Sequence, residues 1–374
     1  MRPGRSTSPK GFIWRPWLVF DEAEDGKMAV TPVAHFVGGI PLDDAENVFR
    51  RLGSEMGPHV RRIPDGETGR RRMWISFVKD TLIANPDFEP DPDVPVFQFI
   101  QFDGKVVFEV NQLRFRDGVD PDGIEFSTGY ADDAIRNFAI FDRLQTEGVI
   151  PAGVKYQICM ATPLAITYMF VSPNIRDVFE RIYASHLADE VGRIMAALPH
   201  DRISYQWDVC QEVLMWEGYL DQAQHPDYKS EIPRSLSWLG GLIPDDVDLG
   251  YHLCYGSPAD EHLILPKDMG NLVEIANLIA AGAKRRIDYI HMPVPDDRND
   301  DTYFAPLEGL DLSDGTDLYL GCVHHGDAEG NVRKLEAARK YTTVAGVGAE
   351  CGLGRGNPDL FDDVLAQHRM LAGG

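Results

Sequence analysis

The chain is poor in positive charge. Against 59 Asp and Glu it carries 36 Lys and Arg, a formal net charge of −23 over 374 residues. A nucleic-acid partner needs a basic face to neutralise phosphates, so this balance excludes that class. Cysteine is scarce as well. Five stand at 159, 210, 254, 322 and 351, an odd number at irregular spacing. A disulfide framework is not expected in so long a chain, and reduced thiols or metal ligands are. No apolar run reaches the roughly 18 residues of a membrane helix, so no membrane partner is expected. The first 27 residues lack the apolar core and small-residue cleavage site of a secretory signal. They read as a disordered extension, with residues 28–374 as the catalytic domain of a cytoplasmic protein.

Two phosphate-binding signatures are also missing. No Gly-x-Gly-x-x-Gly follows the first expected strand, and residues 352–356 are glycine-rich without the Lys-Ser/Thr of a P-loop. No period of 20–50 residues points to a solenoid.

What is present is a repeated strand-then-helix grammar. Apolar runs at 33–37, 154–159, 202–207, 248–254, 287–292, 318–323 and 344–347 read as buried strands. Helical spacing is expected over 41–56, 175–198, 272–281, 332–341 and 361–371. Ala45, Val48, Phe49 and Leu52 form the buried face of the first helix, with Asp43 or Asp44 as its cap. Alternation of this kind implies a parallel sheet, and seven or eight units without a long linker imply an α/β fold closed as a (βα)8 TIM barrel. Residues 85–130, broken by prolines, read as an irregular insertion over one mouth.

In such a barrel the chemistry sits where strands end. The polar residues expected there are Glu67, Asp208, His252, Cys254, His291, His324, His325 and Cys351. His252 and Cys254 are two apart on a strand, so both point to one face, and imidazole with thiolate is a zinc-type ligand pair. Cys351, just past another strand, supplies a third. The competing reading is of inert core cysteines.

These residues stand in stretches that resemble the catalytic barrel of the cobalamin-independent methionine synthase family. His252-Leu253-Cys254-Tyr255 resembles its His-Met-Cys-Tyr zinc motif, and Cys351-Gly352-Leu353 the end of its Asn-Pro-Asp-Cys-Gly-Leu motif. Val37-Gly38-Gly39-Ile40-Pro41 is similar to its Ile-Gly-Ser-Phe-Pro turn. Gly66-Glu67-Thr68-Gly69-Arg70-Arg71-Arg72-Met73 is similar to its Gly-Glu-x-x-Arg-x-x-Met stretch, and Gln206-Trp207-Asp208 to the start of its Gln-Ile-Asp-Glu-Pro motif. The ordered matches run over about residues 33 to 360, and the single barrel looks like the short members of this uroporphyrinogen decarboxylase and methionine synthase-like group.

The resemblance implies a zinc-dependent methyl or alkyl transferase acting on a small-molecule thiol. Its donor would be 5-methyltetrahydrofolate or a similar small molecule. His252, Cys254 and Cys351 would hold Zn²⁺. Glu67 and Asp208 would bind a polar group of the acceptor, and the Gly38-Gly39 backbone would lie close to it. His324 or His325 would be the catalytic acid. The family's fourth ligand, a glutamate, aligns with Pro293, and His291, two residues earlier on the same face, is the expected substitute. Val209-Cys210 replaces Glu-Pro after Asp208, and Glu350 replaces the Asp before the last cysteine, so the substrates are open to differ.

Three alternatives stay beside this reading. The epoxyalkane:coenzyme M transferases resemble it closely. A metal-independent decarboxylase-like barrel would use Arg61, Arg62, Arg70 and Asp65. A non-catalytic binding protein would keep the barrel alone. Arg70-Arg71-Arg72 is either an anion site or, more simply, an ion-paired face. Residues 296–301 read as an exposed acidic loop, and His59, His225 and His262 as surface residues.

Overall fold

The computed structural model describes residues 20–22 and 28–373. The expected disorder of residues 1–27 concerns positions outside the described ones, apart from Phe20–Glu22, which pairs antiparallel with Met28–Val30. Residues up to Thr31 form a unit separate from Pro32–Gly374.

The larger unit is an eight-stranded, all-parallel barrel. Its strands are β1 (Val33–His35), β2 (Arg62–Pro64), β3 (Lys155–Ala161), β4 (Ile203–Val209), β5 (Asp248–Leu253), β6 (Tyr289–Pro293), β7 (Asp317–Val323) and β8 (Gly346–Ala349). Each pairs with its chain neighbour from β2 through to β8, and β8 pairs back to β1. The seam between β1 and β2 is closed by two isolated parallel bridges, Ala34 with Val60 and Gly39 with Gly66. The strands are buried along nearly their whole length, as expected where helices cover the outside and side chains fill the inside.

The covering helices follow the strands in turn: α1 (Ala45–Met56), α2 (Tyr130–Thr146), α3 (Arg176–Ala197), α4 (Tyr228–Gly241), α5 (Gly270–Gly282), α6 (Ala328–Arg339) and α7 (Phe361–Leu371). In α1 the Asp44 side chain accepts from the Asn47 amide at 2.8 Å, and Ala45, Val48, Phe49, Leu52 and Met56 face the core. Capping and a one-sided apolar stripe therefore set the same boundaries. After β6 the chain makes only the four-residue helix Asp301–Phe304 before returning. The insertion between β2 and α2 contains two antiparallel ladders, Phe88–Pro90 with Leu113–Phe115 and Phe97–Ile100 with Val106–Val110. Among the described residues no helix is long and apolar enough to cross a membrane.

One acid in this scaffold is held against its usual chemistry. Glu212 opens the short helix Gln211–Trp216 after β4 and is buried, with one carboxylate oxygen lacking a hydrogen-bond partner among the described residues. Burial pushes its pKa up to about 7, and the nearby Thr162 hydroxyl works the other way. A raised carboxyl adds stability that is complete below the ordinary carboxylate range and is lost as pH rises through about 7. Glu212→Gln is expected to be more stable than the parent at pH 8, by about 3 kcal/mol at most, and to show no such gain at pH 5. Denaturant unfolding at the two pH values checks this. An equal shift at both would contradict it.

Candidate metal centre

β5 carries His252 inward, and the next inward position is Cys254. Although the strand proper ends at Leu253, the Cys254 amide still donates to the Val209 carbonyl at 2.9 Å. Residue 254 is thereby held in line with the strand, one layer above His252. Cys351 arrives from the loop after β8. That loop is docked on the β1 turn by glycines. The Leu353 amide donates to the Gly39 carbonyl at 2.7 Å. A Cβ on Gly39 would stand 3.1 Å from the Gly354 nitrogen, and one on Gly352 would stand 3.0 Å from the Gly39 nitrogen. Backbone touches backbone here, so a side chain would drive the two turns apart.

The result is a convergence of three ligand atoms. The ligand atoms of His252, Cys254 and Cys351 lie within 4.8 Å of one another, and the two Sγ atoms are 3.5 Å apart. Two sulfurs about 2.3 Å from one tetrahedral ion would be about 3.8 Å apart, so the thiols need to shift only slightly. Buried His252 Nε2 has no hydrogen-bond partner among the described residues. Burial holds the His252 pKa low, while the Cys351 thiol beside it pulls the other way; the neutral imidazole that results is the state a metal requires. The Cys351 pKa is pushed well up by the hydrogen bond from Cys254 and by burial, and that of Cys254 by its hydrogen bond with Cys210 and by burial, against the opposing Cys351 contact. An orphaned imidazole nitrogen between two crowded thiols fits a soft divalent cation better than an inert core.

Arg355, which motif reading did not single out, is the adjacent cation. Its Nη2 lies 3.4 Å from Cys351 Sγ and its Nε donates to the Ser257 carbonyl at 2.7 Å. It stands four residues after Cys351, across one short turn (Leu353–Arg355). The signal available was this Cys-x-x-x-Arg spacing.

His291 is not brought into the group as a fourth ligand. β5 and β6 pair with His252 directly opposite His291, so the two rings share one layer of the barrel. His291 Nδ1 therefore meets the back of the other imidazole, 2.8 Å from His252 Nδ1. The layer that faces the thiols is reached two residues later on β6, and there the chain has Pro293, which offers no ligand.

Glu67 and Asp208 line the same cavity as the three ligand residues, with Gly38, Gly39, Trp74, Cys210 and Arg355. Gln206, two residues before Asp208 on β4, donates to Asp208 Oδ1 at 2.9 Å, and Trp74 Nε1 donates to Oδ2 at 3.3 Å. Trp74 is a second residue the sequence reading missed. Glu67 sits on a left-handed backbone, φ +48°, directly after Gly66 at φ +79°. Such a conformation costs energy for a residue with a side chain. Its oxygen Oε2 would stand 3.2 Å from a Cβ on Gly38. Burial, then Glu67, push the Asp208 pKa well above the carboxylate range, with Gln206 opposing. Burial also raises Glu67, against Arg71 and with Asp65. Two like-charged groups sharing a dry site cannot both ionise cheaply, which is why both carboxyls are pushed above the usual range.

His324 and His325 are placed elsewhere. They line a neighbouring cavity of about 620 Å³, whereas the ligand cavity holds about 80 Å³. The two share Ser257, Cys351 and Gly352. His324 Nε2 is 3.0 Å from the Val294 carbonyl, and burial lowers its pKa, with Glu350 opposing. His325 is exposed. His262, expected at the surface, is buried instead and pairs with Glu350 at 2.7 Å, because the loop after β5 folds back over the barrel mouth.

The decarboxylase constellation does not assemble. Arg62 begins β2 and stacks over Tyr289 at 4.1 Å, and Arg61 pairs with Asp317 at the start of β7. Both lie at the N-terminal end of the barrel, away from the cluster. Arg71 is paired with Asp65 at 2.7 Å, Arg70 with Asp133 at 2.7 Å, and Arg72 donates to the Gly354 carbonyl. Arg70 is thus ion-paired at the surface, Arg71 is ion-paired in the interior, and Arg72 is held by a backbone carbonyl. In the acidic loop, Asp296 and Asp301 are likewise paired, with Lys334 and Lys340.

No family model and no curated protein matches the sequence. Among solved structures, the chain is similar to a B12-independent methionine synthase from Shewanella sp. W3-18-1 in complex with selenomethionine. The TM-score is 0.56, with 13% identity over 88% of this chain and 86% of that one. A putative vitamin-B12-independent methionine synthase from Listeria monocytogenes aligns with a TM-score of 0.48, also at 13% identity, over 88% and 86% of the two chains. At this identity the first likeness is one of fold: a methionine-synthase-like barrel.

Proposed function

We propose that the protein is a zinc-dependent transferase that moves a methyl or alkyl group from a small-molecule donor to a thiol. The observation that carries the reading is the convergence of His252, Cys254 and Cys351 at the C-terminal mouth of the barrel, with His252 Nε2 orphaned among them. The likeness in fold to a methionine synthase solved in complex with selenomethionine, the selenoether counterpart of methionine, supports it. When bound, zinc supplies a Lewis acid that lets a thiol ionise near neutral pH.

The protein's own residues then have separate tasks. His291 holds His252 in one orientation through its Nδ1, as outer partners of metal-binding imidazoles do. Glu67 and Asp208 bind the ammonium group of an amino thiol such as homocysteine. That cation satisfies two carboxylates which otherwise repel one another. Trp74 and Gln206 keep Asp208 facing the cavity. Arg355 keeps a positive charge against Cys351. In the transfer a sulfur–carbon bond forms and the bond from that carbon to the donor breaks. The resemblance nominates a methylated pterin such as 5-methyltetrahydrofolate as donor, with epoxides as the alternative electrophiles. His324 stands in the wider cavity, where the donor would enter. Five free cysteines suit the reducing cytoplasm.

The test is loss of free homocysteine thiol in the presence of a panel of methyl donors and an epoxide, with and without stripping of metal. Turnover that disappears on chelation and returns with zinc is expected. Undiminished thiol alkylation by metal-free protein would sink the reading.

A further inference from the structure

The second ladder of the insertion after β2 has an apolar face. Phe97–Ile100 pairs antiparallel with Val106–Val110, and Phe99 stands directly opposite Phe108. Side chains alternate along a strand, so cross-strand partners share a face. Phe99 and Phe108 share one, with ring centroids 6.0 Å apart. The next pair, Gln98 and Glu109, is exposed on the other, where Gln98 Nε2 donates to Glu109 Oε2 at 3.3 Å. A lone two-stranded hairpin is marginal in water, so this one has to bury its phenylalanines against something.

What lies against them is the metal-ligand cavity. Phe99 and Phe108 line it together with His252, Cys254 and Cys351. Two anchors hold the hairpin there. The Tyr219 hydroxyl accepts from the Ile100 amide at 2.8 Å and donates to the Ile100 carbonyl at 3.0 Å. Gln101 Nε2 donates to the His262 carbonyl at 3.1 Å and to Glu261 at 3.2 Å. Tyr219 follows β4, and Glu261 and His262 follow β5. The hairpin leaves the chain after β2, so it crosses the mouth of the barrel as a roof. Phe102 at its tip reaches the lining of the neighbouring cavity. Met73, Trp74 and Met169 continue the apolar wall. The room beneath is about 80 Å³, against about 620 Å³ next door, so bulk at this wall is limiting.

We infer that Phe99 and Phe108 set the length of the alkyl group that is transferred and admit only a short one. The inference rests on the alkyl-transfer reading and adds its specificity. The acceptor's ammonium is taken by Glu67 and Asp208, and its sulfur by the ligand cluster. The group that arrives on that sulfur then has the phenylalanine rings for a wall. A methyl or ethyl group buries its surface against them. A longer chain meets two rings pinned by Tyr219 and Gln101, and overfilling a packed wall is costly.

The test is calorimetric titration of the full chain with the S-methyl, S-ethyl, S-butyl and S-hexyl thioethers of homocysteine, the products that transfer of each group would leave. Zinc content and alkylation of homocysteine are read on the same samples. One methylene in an apolar pocket changes discrimination by roughly 10- to 200-fold. The wild type is expected to bind the S-butyl thioether at least ten-fold more weakly than the S-ethyl one. Phe99→Ala should bring the two level or reverse them, with zinc content unchanged. Phe108→Ala, at a half-buried position, should shift the order in the same direction, and it serves if Phe99→Ala fails to fold. Phe108→Trp should act oppositely and weaken the S-ethyl thioether relative to the S-methyl one. A wild type that ranks the series flat or prefers long chains would overturn the inference, and so would failure of every thioether to bind. Protein that holds no zinc and alkylates no thiol, yet ranks the series by the roof residues, would uphold the roof and remove the transferase reading. Zinc-bearing, alkylating protein whose ranking is the same in all variants would remove the inference alone.

Discussion

Replacing Cys351 with serine is expected to weaken zinc binding by more than about 100-fold. Loss of a residue that merely orients a ligand typically costs 10- to 100-fold in metal affinity, and Cys351 is one of the three groups that converge on the site among the described residues. A serine hydroxyl does not ionise at neutral pH, so the variant loses a ligand charge as well as a soft donor. It also leaves Arg355 without its sulfur partner. Competition against a chromogenic chelator measures the loss. Cys322→Ser serves as the control: this cysteine lies on β7, buried, and outside the ligand cavity. It is expected to keep the wild-type affinity. Equal affinity of Cys351→Ser and wild type would contradict the ligand assignment.

Asp208→Asn is expected to raise the KM for homocysteine by about 30-fold or more, while leaving the KM for 4-mercaptobutyrate, which lacks the amino group, nearly unchanged. Removing one partner of a buried charge pair costs 2–5 kcal/mol, and about 2 kcal/mol is a factor of roughly 30. The pH dependence carries a sign. Burial and Glu67 push the Asp208 pKa well above the ordinary carboxylate range. Protons therefore compete with the acceptor's ammonium, and homocysteine binding should tighten as pH rises until that pair is ionised. The asparagine variant should lose this limb. If both thiols suffer equally, Asp208 is holding the cavity's shape and is not reading the amino group.

The barrel was legible wherever strands are long and apolar, because a strand buried on both faces reads as an unbroken run. The second strand escaped that reading. Arg62–Pro64 is three residues long and begins on a buried arginine. Its place in the barrel is set by pairing with β3 and by the bridges to β1, which no local pattern reports. In the site, His252 and Cys254 were legible through the period of two along a strand, and Cys351 through its position after β8. The position of His291 was not. Same-face spacing within β6 says nothing about which layer of β5 it opposes, and the pairing of His252 with His291 decides that. His324 and His325 follow a strand end as expected, yet they open onto the wider cavity. A barrel mouth is broad enough to hold two pockets, and strand order alone does not say which one a βα loop lines. Trp74 and Arg355 lie off the strands in turns, where only the folded backbone brings them to Asp208 and Cys351.

X-ray absorption at the zinc edge of protein loaded with one equivalent of metal tests the central claim most directly. The account predicts two sulfur scatterers at about 2.3 Å and at least one nitrogen at about 2.0–2.1 Å. A first shell of oxygen and nitrogen without sulfur would contradict it.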